Sequence, residues 1–486
     1  MFLQSNNHLY VYQHKSKYLI PLHPVVARFA LEAKQSTYID LQKIEKEFAT
    51  DYSKEEIELL YLQYLHFKEH FFFETDIKKT YAKISSETIR DTFTTVTHIV
   101  FEVTESCNLQ CHYCAYGDYY LNRGERTTRS MNFELAKTLL LQFVPIWKSD
   151  VIKNPKKQVS IGFYGGEPLM NYELIAQIIE LCDSFGFKKD FFRFSMTTNG
   201  LLIKKYQDFL IDKNIYISVS LDGNKENNAY RIKKNGENSF DEIIENVNSI
   251  KEKNREYFEN NIEFMGVIHD KNSMEQVLAF CKETFNKKPS LSPLSTENVD
   301  PQKQEQFDKI YKNLIDDVSK DFLLSLTESE LGKYDFLSFL RKNCLHIFSH
   351  YKSIYNARKT VLTLPTGTCI PFSRKIFLST EGKILPCERV SISHCLDSII
   401  EDKEITLDYN AISEYFNNTV FKYKDECLNC FNINSCNLCA FKCTFDNDKC
   451  DEYSTEGDFI DRMTFYLTLV ETYPHLYNYT KTIFIG

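Results

Sequence analysis

Cys107, Cys111 and Cys114 stand in the run TESCNLQCHYCAYGDYY and offer three thiolates at CxxxCxxC spacing. Each iron of a [4Fe-4S] cluster takes one external thiolate, so three cysteines leave the fourth iron open to a substrate or cofactor. A ferredoxin-type site would add a cysteine nearby, and none lies between 115 and 181. On spacing alone, a zinc knuckle or three unrelated cysteines are the alternatives. A second region begins at Cys369, followed by twelve residues, Gly382, four residues and Cys387. CLNCFNINSCNLCAFKC then supplies Cys427, Cys430, Cys436, Cys439 and Cys443, with Cys450 beyond. These side chains would equally suit two or three zinc ions.

The 15 cysteines of this 486-residue chain are clustered, which distinguishes them from a disulfide framework. The thiolates must stay reduced. The N-terminus lacks the layout of a signal peptide, and there is no run of about 18 apolar residues, so the expectation is a cytoplasmic protein with no membrane partner. A formal charge of −9 gives no general attraction to nucleic acid. With 43% hydrophobic residues the chain can bury several cores, and its length suggests two to four domains.

Each cysteine region needs elements to position it. Residues 1–75 read as a small module: strands in HLYVYQ and YLIPLH, helices in HPVVARFALEA and DLQKIEKEF, and a long helix opened by Ser53 with Glu56 as capping-box partner. Residues 76–96 read as a polar connector. From 97 to 295 strand and helix alternate through THIVFEVT, VSIGFYGG, FFRFSMTTNG, IYISVSLDG, NIEFMGVIH and PSLSPLS, which implies a parallel α/β sheet, curled or barrel-like. Residues 296–365 look like a helical bridge, 366–453 a turn-rich cysteine domain, and 454–486 a closing helix. Cys107 follows directly on the first strand of the alternating region. Loops after such strands form the face where barrels place their chemistry.

The cysteine loop resembles the radical S-adenosylmethionine (SAM) signature, with Tyr113 at its aromatic position. That family's other landmarks follow in order at successive strand ends: Gly165, Gly166, Glu167 and Pro168 as GGEP; Thr197, Thr198, Asn199 and Gly200 as TTNG; Ser220 and Asp222 in SVSLDG; then Arg231. The resemblance implies a partial (β/α)6 TIM-type radical SAM barrel. It further implies that the GGEP backbone and carboxylate hold the SAM amino group, that Thr198 and Asn199 contact its ribose and methionine portions, and that Arg231 grips its carboxylate. Val267 or Ile268 in GVIH would pack on adenine. The family uses the cluster to cleave SAM to methionine and a 5′-deoxyadenosyl radical, which removes a hydrogen from substrate.

The second region resembles the SPASM domain of radical SAM peptide maturases, which carries two auxiliary [4Fe-4S] clusters. By that resemblance Cys427, Cys430, Cys436 and Cys450 bind the farther cluster, while Cys369 and Cys387 bind the nearer one. A returning cysteine is expected four positions after Cys436, where this chain has Ala440; Cys439 is favoured over Cys443 to take that role. Positions 370–378 lack the further ligand common in relatives. Cys395 could substitute, or an open iron could bind a peptide thiolate. Glu388, directly after Cys387, occupies the place of a proton-accepting aspartate in sulfatase-maturing relatives; its alternative is a solvated charge beside Arg389.

The first 75 residues resemble the winged-helix recognition element that captures leader peptides of ribosomally made, post-translationally modified peptides by strand addition. The segment CAYGDYY…R…MNFELA is similar to peptide maturases of the Bacteroidetes type. Together these resemblances imply a peptide maturase that installs a thioether or carbon–carbon crosslink on a leader-bearing precursor. A reductant such as flavodoxin or ferredoxin would serve it. Formylglycine formation on a sulfatase is the alternative within enzymes, and a non-catalytic iron–sulfur or zinc peptide scaffold the alternative outside them. His112, His269 and His394 are read as satisfied polar residues, Cys182, Cys281 and Cys344 as structural thiols, and Trp147 as core.

Overall fold

The computed structural model describes residues 1–5, 8–14, 18–35, 38–70, 78–117, 119–121, 127–296, 299–312, 340, 346–347, 360–396, 398–401, 404–442, 450 and 453–472. Most of the expected bridge, Cys344, Cys443 and the last fourteen residues of the expected closing helix lie outside them.

Strands β1 (Phe2–Ser5), β2 (His8–Gln13) and β3 (Tyr18–Pro21) pair antiparallel in sequence order. Helices α1 (Pro24–Gln35), α2 (Leu41–Glu47) and α3 (Lys54–His70) follow. β1 adds to the two strands expected from sequence; four residues are too few to show a period. α3 begins with the expected reciprocal cap: Glu56 N–H donates to Ser53 Oγ at 3.2 Å, and Ser53 N–H to Glu56 Oε2 at 2.8 Å.

The expected connector is instead structured, with strand β4 (Lys78–Tyr81) and helix α4 (Ser86–Thr95). α4 looks polar in sequence because Ile89 and Phe93 alone anchor it in the core.

The alternating region forms as expected. Strands β5 (His98–Thr104), β6 (Val159–Gly165), β7 (Phe192–Thr198), β8 (Tyr216–Ser220), β9 (Ile262–Ile268) and β10 (Ser290–Pro293) lie parallel in sequence order. Helices α5 (Phe133–Lys153), α6 (Tyr172–Ser184), α7 (Ile203–Asp212), α8 (Phe240–Lys253), α9 (Arg255–Asn261) and α10 (Met274–Phe285) cross between them. With sequential order and right-handed crossovers, every helix falls on one face of the sheet. Ile99, Phe101, Ile161, Phe163, Met196, Ile217, Val219 and Phe264 bury against helix residues such as Leu139, Ile175, Leu210, Val247 and Val277. A short helix α11 (Gln304–Ile310) follows β10.

The cysteine-rich region is built into this sheet. β11 (His346–Ile347) pairs parallel with β3, and β12 (Thr360–Thr363) parallel with β4. β13 (Ile376–Leu378) adds parallel to β5, and β14 (Ile384–Leu385) returns antiparallel, making an eight-stranded sheet. The turn between them needs Gly382, at φ +81°, a conformation costly for other residues. Hairpin β15 (Ser398–Glu401) and β16 (Glu404–Leu407) leads to α12 (Tyr409–Phe421) and α13 (Lys424–Asn429). Last, α14 (Glu456–Thr472) packs Phe459, Met463 and Leu467 on Leu3, Tyr10 and Tyr12 of the N-terminal sheet. Leu9 and Val11 point the other way, to α1–α3. No helix among the described residues is long and apolar enough to cross a membrane.

Candidate active site at the strand ends

The cysteine loop leaves β5 at Thr104 and is stitched to its surroundings through the main chain. Gln110 N–H donates to Ile232 O at 2.8 Å and His112 N–H to Tyr230 O at 3.1 Å. Cys107 is buried, while Cys111 and Cys114 are partly exposed. Burial pushes the Cys111 thiol up to about 12; Arg231 opposes this, and the neighbouring Cys114 and Cys107 sulfurs add to it.

GGEP serves this loop in a way the sequence does not suggest. Gly166 N–H donates to Thr104 O and Glu167 N–H to Ser106 O, both at 2.8 Å. A Cβ on Gly166 would lie 2.3 Å from Ser106 O, and one on Gly165, at φ +134°, 2.0 Å from Thr104 O. The glycines thus let β6 press against the cysteine loop, and the close approach is to protein backbone rather than to a ligand.

The Glu167 carboxylate is likewise turned inward, fully buried. It accepts from Thr198 Oγ1 and Asn199 N–H, each at 2.8 Å, and from Leu169 N–H at 3.1 Å. Burial raises its carboxyl to about 7 against these donors. Both oxygens of the carboxylate, and the Thr198 hydroxyl, are thus engaged with protein. Register places Thr197, not Thr198, on the open face, beside Ser218.

Asp222, also fully buried, is a second hub. Its carboxylate accepts from Tyr113 Oη, from Arg231 Nη2 at 3.1 Å and from Val267 N–H at 2.9 Å; His269 Nε2 lies 3.7 Å away. Burial alone would raise this carboxyl, but Arg231 and these donors hold it below the usual range. Arg231 sits with its guanidinium 5.5 Å from the Tyr113 ring centre, and its Nε is buried without a partner. His269, read from sequence as a satisfied polar residue, is fully buried against Tyr113 and Tyr230 and accepts at Nδ1 from Lys271 N–H at 3.2 Å. Ile268 buries in the core on the helix face, where Val277 also lies. Its neighbour Val267 joins Tyr113 and Leu294 in the cluster at the site.

The face opposite the helices is unlike a filled barrel. Register aligns His98 with Ser160, Gly162 with Ser195, Thr197 with Ser218, and Ser292 with Val267. Barrel interiors are normally packed with branched apolar side chains. Here small and hydroxyl residues take several of these positions, with the His98 and Val100 side chains beside Gly162, and Ser220 lies at the upper rim.

At the far end of β5, roughly 20 Å from Thr104 at strand rise, Glu388 pairs with Lys375 through both oxygens at 3.0 Å. Its side chain is 16% exposed, so it is not the solvated charge the alternative required. Burial would raise the Glu388 carboxyl, but Lys375 holds it low. Burial, helped by Lys375, lowers nearby His98 to about 4. Lys375 falls within 370–378, the stretch without a cysteine.

In the cysteine-rich region, Cys427 lies near Cys436 and Cys430, and burial raises its thiol to about 11. Cys450 N–H donates to Glu426 Oε2 at 3.1 Å, next to Cys427. Cys387 and Cys439 pack into one apolar cluster, which also holds Ala440. Cys369 and Cys395 are exposed. A connection missed from sequence joins the two cysteine regions: Glu102 of β5, buried, accepts from Tyr116 Oη of the cysteine loop and from Thr380 N–H of the β13–β14 turn at 3.2 Å.

The sequence model of the radical SAM superfamily matches residues 101–282, from β5 to α10. The chain carries a radical SAM domain. An uncharacterised protein of Methanocaldococcus jannaschii is 30% identical over 158 residues, 32% of this chain and 49% of that protein, so the chain spans about half the length of that relative. A cysteine-type anaerobic sulfatase-maturating enzyme of Clostridium novyi is 25% identical over 359 residues, 71% of this chain and 87% of that enzyme. A solved structure of native anSMEcpe with bound AdoMet and Kp18Cys peptide aligns over 79% of this chain and 99% of that chain, at 19% identity and TM-score 0.48.

The cofactors of a radical SAM domain are SAM and a [4Fe-4S] cluster. The residues present fit them. Cys107 and Cys114 are close enough to Cys111 for both sulfurs to raise its thiol, the proximity that three ligands of one cluster need. Crowded thiols with raised pKa values release protons on binding metal, and the orphaned Nε of Arg231 is a donor awaiting an anionic acceptor.

Proposed function

We propose that this radical SAM enzyme modifies a ribosomally made precursor peptide, closing a thioether or carbon–carbon crosslink. Cys107, Cys111 and Cys114 hold the first cluster, which together with SAM supplies a hydrogen-abstracting 5′-deoxyadenosyl radical. Arg231, steered by Asp222, faces the SAM carboxylate, and Val267 and Tyr113 form the apolar wall for its adenine. Cys427, Cys430, Cys436 and Cys450 serve the farther auxiliary cluster; Cys369, Cys387 and Cys439 serve the nearer one. Residues 1–75, 97–295 and 366–453 are the recognition, barrel and SPASM domains.

The observation that carries this reading is the open face between the two cysteine regions, lined by Ser160, Gly162, Ser195, Thr197 and Ser218. A peptide loop fits there, with the radical source at one end and Glu388 and His98 at the other. Glu388, held ionised by its pair with Lys375, is the carboxylate this reading assigns as the final proton acceptor, reached by relay along the open face, as a substrate radical is oxidised. The module at 1–75 supports capture of a leader, with β1 at one edge of its sheet and β11 already on β3. An electron donor such as flavodoxin or ferredoxin would reduce the clusters. Formylglycine formation is the second reading, favoured by the 87% coverage of the Clostridium novyi enzyme.

Anaerobic turnover with SAM, reductant and small precursors encoded beside the gene separates these. Crosslinking removes two hydrogens per bond and keeps sulfur, whereas conversion of a sulfatase cysteine loses sulfur. A leaderless precursor should show a raised KM with little change in kcat. Absence of 5′-deoxyadenosine from the fully reconstituted enzyme sinks both readings and leaves a non-catalytic scaffold.

A further inference from the structure

Asn199 stands just past β7 with each of its polar side-chain groups directed at protein. Its Oδ1 accepts from Leu201 N–H at 3.1 Å, and its Nδ2 donates to Asn108 Oδ1 at 2.7 Å and to Cys107 Sγ at 3.6 Å. Its main-chain N–H is fixed by Glu167 Oε2 at 2.8 Å. The residue is buried, so these contacts are not traded for water. The Cys107 sulfur receives a second donor, Leu109 N–H, at 3.4 Å.

A carboxamide held this way cannot turn to a bound ligand without surrendering partners on two segments of chain. Its fixed orientation aims an N–H dipole at one of the three candidate cluster sulfurs. Hydrogen bonds to ligand sulfurs raise the reduction potential of an iron–sulfur cluster, because negative charge on the sulfur grows on reduction and the donor stabilises it.

We propose that Asn199 is a positioning residue that tunes the first cluster, raising its reduction potential through the Nδ2–H···Sγ contact to Cys107. Glu167 acts behind it by fixing its main chain. This rests on the assignment of Cys107, Cys111 and Cys114 to a [4Fe-4S] cluster. The resulting role is electronic: Asn199 sets how readily the cluster accepts the electron that it later spends, rather than gripping SAM.

The test uses the full-length, anaerobically reconstituted enzyme and an EPR-monitored redox titration, following the signal whose shape changes when SAM is added. Asn199→Leu, which removes the donor at similar volume, should move the midpoint to more negative potential at unchanged iron content. Asn199→Asp keeps the acceptor for Leu201 N–H and places negative charge beside the sulfur, so it should move the midpoint further the same way; it carries the test if the leucine variant does not fold. Asn108→Ala removes the other acceptor of Nδ2 and leaves the sulfur contact, so its midpoint should stay with the wild type. A midpoint unmoved in both Asn199 variants, or moved equally in Asn108→Ala, overturns the proposal. A wild-type chain that assembles no SAM-responsive cluster overturns the cluster assignment itself, and this proposal with it.

Discussion

Around Cys107 the chain is held chiefly by hydrogen bonds from several segments, whereas around Cys387 and Cys439 apolar packing and one hairpin predominate, with fewer bonds such as Ala440 N–H to Thr368 Oγ1 at 2.7 Å. Glu167 and Asp222 each collect donors from several segments, at full burial. Val100, Phe377, Leu385 and Phe441 do the corresponding work near Cys387. Directional bonds fix orientation as well as distance, and a fully satisfied buried network specifies one arrangement. Apolar contact fixes distance and tolerates rearrangement. Radical initiation demands the first kind of support. A region whose ligand spacing departs from its relatives can live with the second.

The comparison breaks most sharply at the thiolates. Cys111→Ala should abolish 5′-deoxyadenosine formation and lower iron by about four per chain. Cys436→Ala should lose a similar amount of iron yet retain SAM cleavage without product. Iron analysis paired with nucleoside chromatography reads both. Smaller but still large, Glu167→Leu strands three buried donors, and unfolding free energy by denaturant titration should fall by roughly 3 kcal/mol.

The lower end of the barrel offers a pH test. His98 is lowered from 6.5 to about 4 in the fold. Below pH 6.5 the unfolded chain therefore binds a proton that the folded chain refuses. Stability should fall by up to about 1.4 kcal/mol per pH unit as pH drops from about 6.5 toward 4. His98→Gln should flatten that slope in urea titrations, and an unchanged slope would remove His98 as its cause. The smallest effect belongs to the hairpin: Gly382→Ala, forced to φ +81°, should cost about 1–2 kcal/mol and weaken the nearer auxiliary site, leaving the SAM-responsive signal intact.

The parallel strands β5 to β9 were legible because each is long enough to show its period and is separated by a helix, and β10, at four residues, was legible as the next strand due in the alternation. The motif residues were legible as positions at strand ends. Their directions were not: a period of two distinguishes faces but does not say which face is open, so Val267 and Ile268, or Thr197 and Thr198, are equivalent in sequence. β13 and β14 escaped because three- and two-residue strands carry no pattern. α4 escaped because its two anchors sit among Ser, Thr and charged residues. Glu102 was invisible for another reason, since a buried polar residue is recognised by partners that sequence places far away.

Pairing β13 with β5 has a consequence for how the protein is made. Ile99 meets Ile376, more than 270 residues downstream. At roughly 5–20 residues per second, the edge of β5 waits some tens of seconds on the ribosome, with its ladder of amides and carbonyls open, before its neighbour exists. An unpaired parallel edge of Ile, Val and Phe is a template for wrong partners. Synthesis of this enzyme should therefore depend on chaperone protection of the half-built sheet, and chains released before residue 376 should aggregate.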